Sequence, residues 1–96
     1  MQRLCNDEIH QGLKGLHGWT FADNAIHRKI EFASYPDAIA GVARVGFEAE
    51  REGHHPDVAM SWKRVTFSLT THDAGGLTPK DLTLAQAIDR LFPASS

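Results

Sequence analysis

Six of the 96 residues are histidines, and three of these stand close to acids or hydroxyls. His54 and His55 are followed by Pro56 and preceded, four residues before His54, by Glu50. His72 lies between Thr71 and Asp73, with Asp81 nine residues later. An imidazole whose ordinary pKa is about 6.5 can give or take a proton near neutral pH, which is what general acid–base catalysis asks of a side chain. Taken by themselves, these residues form a cluster of titratable groups.

Each has a plainer reading beside the catalytic one. Glu50 lies eleven residues after Ile39, which at 100° per residue returns it to within about 20° of the same helix face. A carboxylate there also meets the negative end of the helix dipole. Breaking two local rules marks a functional position, while a frayed helix end would leave Glu50 merely solvated. Neighbouring side chains of an extended chain point apart, so His54 and His55 are expected to diverge, with Pro56 stiffening the pair. His54, His55 and His72 could be three metal ligands, but adjacent ligands on one rigid dipeptide converge poorly and no cysteine completes the set. No metal is expected. Asp81 is the third residue after Thr78, so a capping box would account for it without chemistry.

The elements that position these residues follow from the patterning. Asn6 is expected to cap a first helix carrying Asp7 and Glu8 in its first turn and Ile9, Leu13 and Leu16 at helical spacing. Trp19 and Phe21, the turn Asp23-Asn24, and the alternating Ile26, Ile30 and Phe32 predict a hairpin. Arg28 falls on the apolar parity of that hairpin, where snorkelling at a sheet edge is the expectation. Ser34-Tyr35-Pro36-Asp37 starts a second helix, with Ile39, Val42, Ala43, Gly46 and Phe47 as its apolar stripe. Val58, Met60 and Trp62, a turn near Lys63, then Val65, Phe67 and Leu69 predict a second hairpin. By parity, His72 continues the polar Thr66, Ser68 and Thr70 side. Thr78-Pro79-Lys80-Asp81 opens a last helix carrying Leu84, Ala85, Ile88, Leu91 and Phe92, and a loose tail begins at Pro93. The order α-β-β-α-β-β-α reads as an α+β fold, a four-stranded antiparallel sheet with three helices packed on one face.

Composition limits what such a domain does. Hydrophobic residues at 42% and charged residues at 23% suit one small globular domain spanning residues 1–96. A net charge of −2 argues against direct nucleic-acid binding. No apolar run approaches the ~20 residues of a membrane span. The start of the chain has no apolar leader, and the single Cys5 points to a reducing compartment, so a cytoplasmic location is expected. Free sheet edges and a small core predict a homodimer or homotetramer.

Ala49-Glu50, His54-His55-Pro56, Trp62, Val65, Leu69, Thr71-His72-Asp73, Gly75-Gly76-Leu77-Thr78 and Asp81 together resemble the pterin-4a-carbinolamine dehydratases. Trp19, Ile30-x-Phe32 and Val42-Ala43 fit the same pattern, so the resemblance covers nearly the whole chain. It implies a hydro-lyase that dehydrates 4a-hydroxytetrahydropterin to quinonoid dihydropterin, recycling the cofactor spent by aromatic amino-acid hydroxylases. The pterin is then the substrate, and no metal or organic cofactor takes part. The family's histidines fall on His54, His55 and His72, its glutamate on Glu50 and its helix-start aspartate on Asp81. His54 and His72 are expected to be acid and base in either order, and His55 to hold the pterin ring edge. Glu50 is expected to bind the pterin or orient a histidine; Pro56 and Asp81 complete the expected substrate site. Val58 stands where many relatives have tryptophan, and Lys80 where some have arginine; Tyr35 and Ile39 replace frequent phenylalanines. Members of the family that serve only as dimerisation cofactors or assembly factors provide the alternative reading, and they tend to lose the histidine set.

Overall fold

A computed structural model describes residues 2–93 of the chain; the expected tail beyond Pro93 lies outside the described residues. Helix α1 (Asn6–Lys14) leads into strands β1 (Thr20–Ala22) and β2 (Ala25–Glu31). Helix α2 (Tyr35–Glu52) is followed by strands β3 (Asp57–Ser61) and β4 (Arg64–Leu69), and helix α3 (Pro79–Leu91) closes the order. The four strands pair antiparallel in the spatial order β1-β2-β4-β3, so β1 and β3 are the edges. The fold is the expected α+β arrangement.

Strand alternation builds the core. Ile26 stands opposite Leu69, Arg28 opposite Phe67 and Ile30 opposite Val65, while Met60 of β3 joins the same face against Val65. Val65, Phe67 and Leu69 are fully buried and belong to one cluster with Ile9, Val45, Leu84 and Ile88 of the helices. Burying side chains of this size is worth about 1.5–3 kcal/mol each. The opposite face pairs His27 with Ser68 and Lys29 with Thr66, residues that tolerate water.

Local signals decide most element boundaries. Asp23 and Asn24 both take left-handed backbone (φ 54° and 60°), the two-residue turn whose twist suits a tight hairpin. The Ser34 hydroxyl accepts from the Asp37 N–H at 3.2 Å and caps α2 as expected. Helix α1 begins one residue earlier than expected. Cys5, not Asn6, is its cap, and the Cys5 N–H donates to Oε1 of Glu8 at 2.8 Å, which holds the Glu8 carboxyl below its usual range.

Two further expectations are corrected by packing. Helix α2 buries Ala38, Gly41, Val45 and Ala49, while Ile39 is 46% and Phe47 75% exposed. Of the expected stripe, Ile39, Ala43, Gly46 and Phe47 therefore lie on the outer face, and Val42 alone packs against the core. Small residues win the inner one because the neighbours come so close: a Cβ on Gly41 would lie 2.6 Å from the Phe32 ring. Trp62 leaves the strand for the β3–β4 turn, with φ 55° and its ring beneath Lys63 at 4.8 Å. No helix is long and apolar enough to cross a membrane among the described residues.

Arg28 does not snorkel at an edge. Strand β2 is internal, and the guanidinium is held from α3: Nη1 donates to Oδ1 of Asp89 at 2.7 Å and Nη2 to the Phe92 carbonyl at 2.8 Å. The same Asp89 accepts from the Trp19 indole N–H and the His17 backbone N–H, each at 2.8 Å. Both ionic side chains are only 9% exposed. Removing one partner of such a pair leaves the other charge uncompensated, so Asp89→Ala is expected to cost about 3–5 kcal/mol. Urea denaturation of the variant checks this; a loss below ~1 kcal/mol would show that Arg28 finds another partner or water.

Candidate active site

The site begins where α2 stops. Gly53 takes φ 66°, a left-handed conformation that suits glycine, and its N–H bonds back to the Glu50 carbonyl at 3.2 Å. The His54 N–H bonds to the Ala49 carbonyl at 3.1 Å. These bonds fix the direction in which the chain leaves the helix, and Pro56 limits the residue before it.

The two histidines then diverge, as their adjacency requires. His54 turns inward and its side chain is only 11% exposed. Its Nε2 donates to Oδ1 of Asp81 at 2.5 Å. His55 turns outward, and its Nε2 meets Oε1 of Glu50 at 2.9 Å. The His55–Glu50 pair is exposed at 67% and 79%. Glu50 thus shares the outer face of α2 with Ile39, and no carboxylate is forced onto the core side of the helix.

Asp81 is the buried anchor. It sits in the first turn of α3 at 0% exposure, where the helix N-terminus favours a negative charge. Its Oδ2 accepts from the Thr78 backbone N–H at 3.0 Å, the expected capping contact, and from the Thr71 hydroxyl at 2.8 Å. Capping and chemistry were alternatives for this residue; one carboxylate serves as cap with one oxygen and as histidine partner with the other. Hydrogen counting then assigns the imidazole. A carboxylate that only accepts obliges Nε2 of His54 to carry the hydrogen, leaving Nδ1 as the nitrogen that exchanges a proton. No buried side-chain nitrogen or oxygen among the described residues lacks a partner, so Nδ1 is open to solvent.

After β4 the chain makes a single 3₁₀ turn over His72–Ala74, ended by Gly75 at φ 74°. This turn brings an exposed His72 beside the other two histidines. His54, His55, His72, Thr71, Asp73 and Lys80 line one open cleft of about 330 Å³. Glu50, Pro56 and Asp81 are not in its wall: Glu50 braces His55, Pro56 is half-buried, and Asp81 lies beneath His54. A larger hollow of about 760 Å³ opens between β2, α2 and the end of α3, but no histidine lines it. The smaller cleft is where proton chemistry is available. No three His, Cys, Asp or Glu side chains are grouped to hold a metal among the described residues.

Thr71 is the contributor that patterning did not mark for a role. A capping box announces Thr78, whereas a threonine following a strand carries no local signal, and its hydroxyl finds Asp81 only across the fold.

A family model described as pterin 4 alpha carbinolamine dehydratase matches residues 2–91. A relative from Roseiflexus sp. (strain RS-1) is 52% identical over 90 residues, covering 94% of this chain and 97% of its own. One from Nocardia farcinica is 48% identical and covers 92% of this chain and 93% of its own. Both carry the provisional name pterin-4-alpha-carbinolamine dehydratase. Among solved structures, a transcriptional coactivator/pterin dehydratase from Brucella melitensis superposes with a TM-score of 0.89 at 30% identity, over 94% of this chain and 98% of that one. A pterin dehydratase-like protein identified as a RuBisCO assembly factor in the alpha-carboxysome shares the fold, with a TM-score of 0.67 at 21% identity over 82% of this chain and 94% of its own.

The two acid–histidine pairs should separate sharply in a stability measurement. Asp81→Ala leaves a buried imidazole, a hydroxyl and a cap N–H without their acceptor, and is expected to cost about 3–5 kcal/mol. Glu50→Ala breaks an exposed pair and is expected to cost less than about 1 kcal/mol. Urea denaturation of both variants checks the contrast; equal losses would place Glu50 in the structural core of the site.

Proposed function

The chain belongs to the pterin 4 alpha carbinolamine dehydratase family, and from that premise we propose that it is a hydro-lyase converting 4a-hydroxytetrahydropterin to quinonoid dihydropterin. The observation that carries this reading is a cleft in which two histidines have different surroundings: His54 tied to a buried carboxylate, His72 exposed on a turn. Dehydration needs a proton delivered to the departing 4a-hydroxyl and the N5 proton removed, so that the C4a–O bond breaks as the C4a=N5 bond forms. One imidazole in its acid form and one in its base form perform both transfers near neutral pH. His54 uses Nδ1, because Asp81 holds the hydrogen on Nε2. His72 is its counterpart in the opposite role. His55 holds the ring edge of the pterin, with Glu50 orienting it from α2. The pterin is the substrate, the chemistry is carried by side chains without metal or organic cofactor, and the cytoplasm is the place of action.

The same chain is proposed to be a homo-oligomer, a dimer or tetramer. Strands β1 and β3 present free edges, which a two-fold axis can pair. The outer face of α2 adds Tyr35, Ile39 and Phe47, exposed at 51%, 46% and 75%. This apolar face also favours the second reading, a binding or assembly role of the kind that the names of the Brucella protein and the carboxysome factor describe. That role is compatible with activity.

Stopped-flow dehydration of a 4a-hydroxytetrahydropterin tests the enzyme. A positioned acid or base supplies about 10²–10⁴-fold, and His54→Ala or His72→Ala is expected to lose most of that factor, the double variant falling less than the product of the two. The wild-type rate should survive prior dialysis against a strong chelator. Full turnover in the double variant would overturn the assignment. Sedimentation velocity at micromolar concentration tests assembly: a species of two or four times 10.6 kDa is expected, and a single species at 10.6 kDa would overturn it.

A further inference from the structure

Asp81 does not meet His54 alone; its second oxygen ends a chain of hydroxyls. Thr71 Oγ1 lies 2.8 Å from Oδ2 of Asp81 and 2.8 Å from Oγ1 of Thr78. A hydroxyl has one hydrogen, and the carboxylate can only accept. Thr71 therefore donates to Asp81 and accepts from Thr78, so the chain runs from the Thr78 hydroxyl through Thr71 to Asp81 and across the carboxylate to His54. Thr78 and Asp81 are both 0% exposed, so the carboxylate takes its donors from the protein, with Thr71 half-buried between it and the cleft.

The loop does not need the Thr71 hydroxyl for its own shape. Its local bonds use only the backbone of that residue: the Thr71 N–H donates to the Gly76 carbonyl at 3.1 Å, and the Thr71 carbonyl accepts from Ala74 and Gly76 at 3.0 and 3.3 Å. Any residue suited to extended backbone makes the same three bonds. What the hydroxyl adds is a donor on the far oxygen of the carboxylate. Each such donor draws charge away from Oδ1 and weakens the hold of the carboxylate on an imidazolium. A buried carboxylate with fewer donors would keep the His54 proton too firmly for a group that must release it in every turnover.

Resting on the dehydratase reading of the cleft, we propose that Thr71 is a positioning residue that, backed by the Thr78 hydroxyl, sets the proton affinity of His54 through Asp81. The other charged or titratable groups around His54 are Lys80 on α3, His72 and Asp73 on the 3₁₀ turn, and His55 with Glu50. All of these are unchanged in a Thr71 variant, so the difference isolates the relay.

The test is an NMR titration of the His54 imidazole in the full-length protein, assigned by its loss in His54→Gln, alongside the pH profile of dehydration. Thr71→Val is expected to raise the His54 midpoint by about half to one pH unit. It should also lower kcat roughly three- to tenfold, with little change in KM. Thr71→Ser restores the hydroxyl and is expected to restore both the midpoint and kcat. Thr78→Val, one bond further away, is expected to raise the midpoint by a smaller amount. An unchanged midpoint in a folded Thr71→Val, or a Thr71→Ser that behaves like the valine variant, overturns the proposal. If Thr71→Val does not fold, Thr78→Val decides by the same rule, with an unchanged midpoint again the overturning result. A wild type that titrates as expected but dehydrates nothing would fail the dehydratase reading while leaving the relay established.

Discussion

One buried carboxylate governs the geometry of the site. Taking the charge of Asp81 fully out of water costs several kcal/mol unless its oxygens are satisfied, and here three donors satisfy them. Those donors come from three places: the loop after α2, the segment after β4, and the N-terminal cap of α3. Satisfying one side chain therefore ties together three stretches that lie apart in the sequence. The histidine on the first stretch faces the cleft because its other nitrogen is occupied beneath it, and the turn carrying His72 is held nearby by the same carboxylate through Thr71.

The far end of α3 repeats the device. Asp89 binds Arg28 of β2, the Trp19 indole and the His17 backbone, so the helix is pinned at both ends by acids that would be costly to bury alone. Between them, Leu84 and Ile88 supply the apolar contact with the sheet. Rigid support of this kind is what lets a catalytic constellation sit on loops, since loops positioned only by themselves move too much to hold proton donors in register. The partition of His54 and His55 follows too: the first belongs to the supported interior and the second to the surface, where Glu50 braces it.

Much of this was legible along the chain. Alternation at Val65, Phe67 and Leu69 set the strand and its buried face, Ser34 and Thr78 marked two helix starts, and Asp23-Asn24 marked a hairpin, because each signal depends on neighbours a few residues away. The histidine triplet and its spacing from Asp81 were legible in the same way, and carried the family resemblance. Four readings turned on distant partners instead. Apolar residues line more than one side of α2, so the 3.6-residue period named a helix without naming its inner face; the close approach of Phe32 to Gly41 made that choice and left Ile39 and Phe47 outside. Arg28 looked misplaced until strand order put β2 inside the sheet and Asp89 within 2.7 Å. Glu50 looked strained only while its face was taken for the core. Thr71 stood in the family motif but gave no sign of its role, since its partners Asp81 and Thr78 meet it only after the chain has folded back. What the sequence by itself determined was the set of elements and the reactive residue types, because period, caps and turns are local. Which helix face is buried, which charge is paired and which nitrogen of His54 is free were decided by tertiary structure alone, because each depends on an atom that only packing brings within bonding distance.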